Sequence, residues 1–135
     1  MRLRRLLPVI LFSATAVVTS PAQPVTGQER SGPLINFSET EYDFGTVSPG
    51  DEAVHYFVFS NTGNAPLAII NVRASCGCMA SEWTKKPINT GAVDSLRIEY
   101  NTRIKGSFNK TISVQSNAEN GDIELRIRGS VVKSK

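Results

Sequence analysis

The chain has 135 residues, with 15 Lys and Arg against 12 Asp and Glu, one His and two Cys. That length holds one ordinary domain with a tail, and 40% apolar with 20% charged residues excludes a disordered or collagen-like chain. The single His and two Cys exclude most multi-ligand metal sites and any Ser-His-Asp arrangement that does not use His55.

The chain opens on Met1-Arg2-Leu3-Arg4-Arg5 and continues as an apolar run from Leu6 to Val18. A basic start, a short apolar stretch and small residues beyond it predict a secretory signal peptide over residues 1–22, cleaved after Ala22 with Ser20 at minus three. The run falls short of the roughly 20 apolar residues a membrane span needs, so no stable membrane anchor is expected after cleavage. The expected destination is the periplasm or the medium. Cleavage removes Arg2, Arg4 and Arg5, lowering the basic count from 15 to 12, equal to the 12 acidic residues. A nucleic-acid partner needs a basic face, and this balance excludes one.

Residues 23–33 are polar and contain Pro and Gly, the makeup of a flexible linker. From residue 34 to 133 short apolar runs alternate with turn signals. Leu34–Phe37 and Tyr42–Val47 come first, then the Ser48-Pro49-Gly50-Asp51 turn, then an aromatic and β-branched strand from Ala53 to Phe59. Asn61–Pro66 is the next turn, leading into Leu67–Val72; a further strand is expected around Ala80–Thr84. Leu96, Ile98 and Tyr100 alternate with charged residues, as do Ile123, Leu125, Ile127 and Val131. Phe108, Ile112 and Val114 share one parity, with Lys110 the exception. Period-two alternation means one buried face and one solvated face.

The pattern predicts an all-β, Ig-like antiparallel β-sandwich of seven to eight strands and no helix. The inward set is expected to be Phe37, Phe44, Phe57, Phe59, Leu67, Ile69, Leu96, Ile98, Phe108, Ile112, Val114, Leu125 and Ile127. The Cys…Trp…Cys spacing of antibody domains is absent, so no inter-sheet disulfide of that type is expected.

Several segments carry a resemblance. Tyr42-Asp43-Phe44-Gly45-Thr46-Val47, Phe57-Val58-Phe59-Ser60-Asn61-Thr62-Gly63 and Pro66-Leu67 resemble a bacterial exported family catalogued as domain of unknown function 1573. Ser75-Cys76-Gly77-Cys78, Gly91, Ser113-Val114-Gln115-Ser116-Asn117 and Arg128-Gly129 carry the same resemblance. The family is similar to ASH, MSP and Hydin-type modules, which share the Phe-x-Phe-x-Asn-Thr-Gly element. The resemblance implies an Ig-like sandwich in an exported protein and brings no catalytic activity. It makes Phe57, Phe59, Asn61 and Gly63 a candidate structural motif. The sequence departs from the family at Met79, where Thr is usual.

Cys76-Gly77-Cys78 is the one constellation that could carry chemistry, and three readings of it stay open. An oxidising compartment favours a local disulfide, with Gly77 permitting the bent backbone that a bridge between such close residues requires. Kept reduced, Cys76 and Cys78 with Met79 would offer soft sulfur ligands for Cu(I). As a redox dithiol the pair would need nearby cations, and Arg103 and Lys105 are expected at the same end of the sandwich. His55 is expected as a packed strand residue and Trp83 as a core or edge contact. Glu39, Glu41 and Asp43 are expected on a solvated face. The reading is a non-enzymatic exported domain, needing no cofactor, that binds a protein or an envelope component. The alternative is a periplasmic copper-binding or thiol-redox protein.

Overall fold

A computed structural model describes residue 8, residues 10–22 and residues 31–133. The basic start of the expected signal peptide and most of the 23–33 linker lie outside the described residues.

Eight strands form: β1 (Ile35–Phe37), β2 (Glu41–Val47), β3 (Ala53–Asn61), β4 (Ile69–Ala74), β5 (Met79–Glu82), β6 (Val93–Tyr100), β7 (Gly106–Ser116) and β8 (Ile123–Val131). They make two four-stranded sheets, ordered β1-β3-β6-β5 and β2-β8-β7-β4. Alternating side chains from both inner faces meet as the core, the packing that an amphipathic sheet requires. All strand pairs are antiparallel except one. β2 runs parallel to β8, Glu41 facing Arg126 and Val47 facing Val131, because the chain crosses from β1 to the other sheet before pairing.

Of the expected inward set, all but Phe37 and Phe44 are buried. Those two lie on the edge strands β1 and β2 and are half-buried against the core, Phe37 with its ring 5.3 Å from that of Phe59. The core also includes Ile35, Ala53, Ile88, Tyr100 and Val131. Two bulges keep the parity correct. In β2 the register shifts between Asp43 and Thr46, so Gly45 and Thr46 both face out and Val47 returns inward. Gly45 supplies the positive φ of 67° that this bulge needs. In β4 the shift lies between Ile69 and Asn71, which turns Ile70 outward while Ile69 stays buried.

The domain begins earlier than the linker boundary suggests. Gly32 and Pro33 are buried; the Gly32 N–H donates to Asn64 Oδ1 at 2.6 Å, and the Pro33 carbonyl accepts from Glu119 N–H at 2.8 Å. The reason lies in the turn after β3, which closes directly onto this segment.

Candidate functional site

Asn61 ends β3, fully buried, and its side chain satisfies both donors and both faces of its acceptor. Nδ2 donates to the Ala65 and Ile88 carbonyls at 2.7 and 2.9 Å, and Oδ1 accepts from Leu34 and Gly63 N–H at 3.3 and 3.0 Å. A buried amide is stable only when so paired. Two residues on, a Cβ on Gly63 would collide with the Gly32 carbonyl and the Leu34 nitrogen, so glycine is required there by close approach of backbone. Phe57 and Phe59 are fully buried on the same strand. The motif Phe57, Phe59, Asn61 and Gly63 is therefore a core anchor and a turn lock.

Three further asparagines fasten the same end. Asn64 accepts from Gly32; Asn117 accepts from Ala68 N–H at 2.8 Å and donates to the Pro66 carbonyl at 3.2 Å. Asn120 binds both backbone groups of Ile35, at 3.1 and 2.7 Å.

The sulfur pair sits at the opposite end, in the crossover from β4 to β5, where the chain passes between sheets. Cys76 and Cys78 are joined by a disulfide, with Cα atoms 5.2 Å apart. Both cysteines are half-buried and Gly77 is exposed. Gly77 is neither in the left-handed region nor crowded, since nothing lies within 4 Å of a Cβ built on it. The bend thus does not depend on a glycine there, contrary to the sequence expectation. The Cys78 N–H donates to Cys76 Sγ at 3.3 Å. Asn101 N–H donates to the Cys78 carbonyl at 2.9 Å, and Met79 faces Tyr100 across the β5–β6 ladder.

Gly77, Cys78, Met79, Glu99, Tyr100 and Asn101 line a hollow of about 340 Å³ beside this bridge. Arg103 lies instead on an adjoining hollow with Asp51, and Lys105 lines neither. The β4–β7 ladder ends where Ala74 faces Ile112; beyond it the Ser75 N–H donates to the Thr111 carbonyl and Ser75 Oγ accepts from Thr111 N–H, and the chain then bends into the crossover. Tyr100 is buried with its ring stacked on Phe108 at 3.8 Å, and this burial pushes its phenol above the usual value near 10.

The other singled-out residues serve packing. His55 is bonded to Glu39, stacks on Tyr42 at 3.6 Å and meets Phe57 edge-on, which joins the two sheets at the β2–β3 seam. Asp43 pairs with Arg128 at 3.2 Å on the surface and caps the Gly45 N–H. Trp83 packs against the core, with Lys85 Nζ 3.3 Å from its ring centroid, a cation–π contact. Among the described residues no group of three His, Cys, Asp or Glu could hold a metal ion.

The asparagine lock, the parallel β2–β8 pair and the Ser75–Met79 crossover coincide with a family model that matches residues 35–131, described as protein of unknown function DUF1573. The chain belongs to that family. No curated protein sequence matches this DUF1573 chain. Among solved structures it is similar to a protein of unknown function from Porphyromonas gingivalis W83, with TM-score 0.68 and 17% identity, covering 76% of this chain and 49% of that one. The chain thus spans about half the length of that protein. It is also similar to the human CEP192 ASH/PapD-like domain 7, with TM-score 0.65 and 9% identity over 75% and 87% of the two chains. A third is the secreted serine protease VesC from Vibrio cholerae, with TM-score 0.57 and 17% identity over 76% of this chain and 24% of that one. At these identities the likeness is one of fold: a PapD-like Ig sandwich.

Proposed function

We propose that this DUF1573 domain is a non-enzymatic, exported module that docks a protein partner on the outer face of the β1-β3-β6-β5 sheet. One observation carries the reading. Tyr56 and Val58 on β3 are 53% and 39% exposed, and Val93 on β6, diagonal to Val58, is 65% exposed. Arg97 stands opposite Tyr56, held by Glu99 at 3.1 Å, and this carboxylate raises its guanidinium pKa above the usual value. Exposed Tyr and aliphatic side chains beside an Arg have the composition of a protein-binding surface rather than a solvated sheet face.

Two features support export. Ile10, Leu11, Phe12, Val17 and Val18 stay 76–93% exposed, as befits a leader that leaves before the domain works. The disulfide belongs in an oxidising compartment. Intact mass of the secreted protein should correspond to a chain starting at Gln23, and retention of residues 1–22 would defeat the export reading.

Docking is tested with the cleaved domain as bait in envelope extract, beside Val58→Asp and an Ile70→Asp control on the other sheet. A protein retained by wild type and by the control, but lost with Val58→Asp, supports the assignment. Identical recovery by all three baits would remove it.

A further inference from the structure

We infer that Asn120, followed by Gly121 in the turn between β7 and β8, is a deamidation site gated by β1: its clasp on Ile35 keeps it unreactive, and its conversion releases the strand irreversibly. The inference uses none of the residues of the docking face and stands apart from that reading.

Asn120 is the one asparagine of the chain that is followed by glycine. Deamidation begins when the backbone nitrogen of the next residue attacks the side-chain amide, and glycine has no side chain to obstruct that approach. Both residues are exposed, so water reaches them.

The fold restrains both reacting groups. Asn120 Nδ2 donates to the Ile35 carbonyl at 2.7 Å and Oδ1 accepts the Ile35 N–H at 3.1 Å, so the amide is fixed toward β1. The Gly121 N–H donates to the Ala118 carbonyl at 3.1 Å, which occupies the attacking nitrogen. Attack needs both restraints to open, and a three-residue edge strand such as β1 is a place where local opening starts.

The clasp also closes a sheet edge. Thr62 N–H donates to the Leu34 carbonyl and Ser38 N–H to the Val58 carbonyl, both at 3.0 Å, so alternate residues bond β3 while Ile35 turns its N–H and carbonyl away from it. Asn120 stands where a neighbouring strand would pair, and losing it leaves those groups open at the edge.

The step balances without electron transfer. The Gly121 nitrogen gives its proton to solvent and bonds to Asn120 Cγ; the Cγ–Nδ2 bond breaks, and Nδ2 takes up a proton and leaves as ammonia. Water then opens the five-membered succinimide, at Cγ to give aspartate or at the backbone carbonyl to give isoaspartate. Either product replaces the amide by a carboxylate that cannot donate, so the Ile35 carbonyl loses its partner. Isoaspartate also lengthens the main chain of the turn by a methylene.

The test incubates the cleaved chain at mildly alkaline pH, folded and in urea, and follows its asparagines by tandem mass spectrometry with isoaspartate detection. In urea Asn120 should convert ahead of the other asparagines, and folding should slow it about tenfold or more, because reaction waits for local opening. Another asparagine converting first in urea overturns the site, and equal rates in the two states overturn the gate. Ile35→Pro removes the N–H that Asn120 accepts and spares the β3 ladder. In this variant, folded by circular dichroism, conversion should be about fivefold faster than in folded wild type, the weight of one ordinary hydrogen bond. An unchanged rate overturns the role of β1. Asn120→Asp stands for the product, and hydrogen exchange at the Ser38 and Thr62 amides should rise about fivefold in it for the same reason. Unchanged exchange there overturns the release. The comparison of folded and urea-unfolded wild type needs no variant, so it decides the gate even where Ile35→Pro fails to fold.

Discussion

The two ends of β6 are built on opposite principles. At the Val93 end, four asparagines bind backbone groups of segments far apart in sequence, and every polar atom of the buried Asn61 is used. At the Tyr100 end, roughly 23 Å away along the strand, the chain crosses between sheets through a half-buried disulfide with an open hollow beside it. One end is closed by hydrogen bonds that cannot be rearranged without leaving a buried group unpaired. The other has hydrogen bonds of its own, Thr102 to Gly50 and Asp51 and Asn101 to Cys78, and beside them a disulfide whose loss costs the fold little. Rigidity at the first end releases the second from a structural duty.

The sharpest way to break this contrast is Asn61→Ala. It leaves the Ala65 carbonyl and the Leu34 and Gly63 N–H groups without their side-chain partner, while the Ile88 carbonyl keeps only the Leu67 N–H. The loss should be about 3 kcal/mol or more in urea unfolding, because each stranded group costs roughly 1–3 kcal/mol. Such a loss is a large share of the stability of a domain this size. Gly63→Ala should be similarly severe, since the colliding atoms are backbone and cannot rotate away. A loss under 1 kcal/mol for Asn61→Ala would show that the asparagine end is not the lock.

The double variant Cys76→Ser, Cys78→Ser should cost about 1.5 kcal/mol, following the small ring, and should leave the circular dichroism spectrum unchanged. An effect as large as that of Asn61→Ala would erase the distinction between the ends.

Tyr100 sharpens the contrast through pH. Its folded pKa is raised by burial, so the neutral phenol is the form that the folded state favours. The stability it contributes is fully present below the unfolded value, near 10, and is lost as pH rises through the folded value. Urea midpoints should therefore fall in strongly alkaline solution, and Tyr100→Phe should flatten that fall. An unchanged alkaline slope in the variant would assign the effect to another group.

The sheets were legible in the sequence because period-two alternation is a direct record of burial. Phe57, Phe59, Leu96, Ile98, Leu125 and Ile127 could be placed inward from pattern alone, and are. Edge position was not legible: Phe37 and Phe44 carry the same pattern as central residues yet keep one side to solvent. Nor was the parallel β2–β8 pair, since turn chemistry reports hairpins and not crossovers between sheets. Asn61 reads as a turn residue, because a polar type at a strand end says nothing about the four backbone groups that converge on it. Cys76 and Cys78 were visible as a pair, but the groups that anchor their loop, Thr111 and Asn101, lie far away in sequence and carry no pattern that points to it.

The smallest effect is expected at Gly77, and it tests why the loop bends. Glycine in a tight crossover suggests a backbone that only glycine can adopt, as Gly45 does in its bulge at φ 67°. Gly77 lacks that conformation, and a methyl group there would meet nothing within 4 Å. Gly77→Ala should then change stability by less than about 0.5 kcal/mol, with a slight gain if the unfolded chain loses more freedom than the loop. The bend would then belong to the anchors on its two sides, Ser75 on Thr111 and Cys78 on Asn101, which hold the sulfurs within bonding reach whatever residue lies between them. A loss of 1 kcal/mol or more would instead return the bend to the glycine.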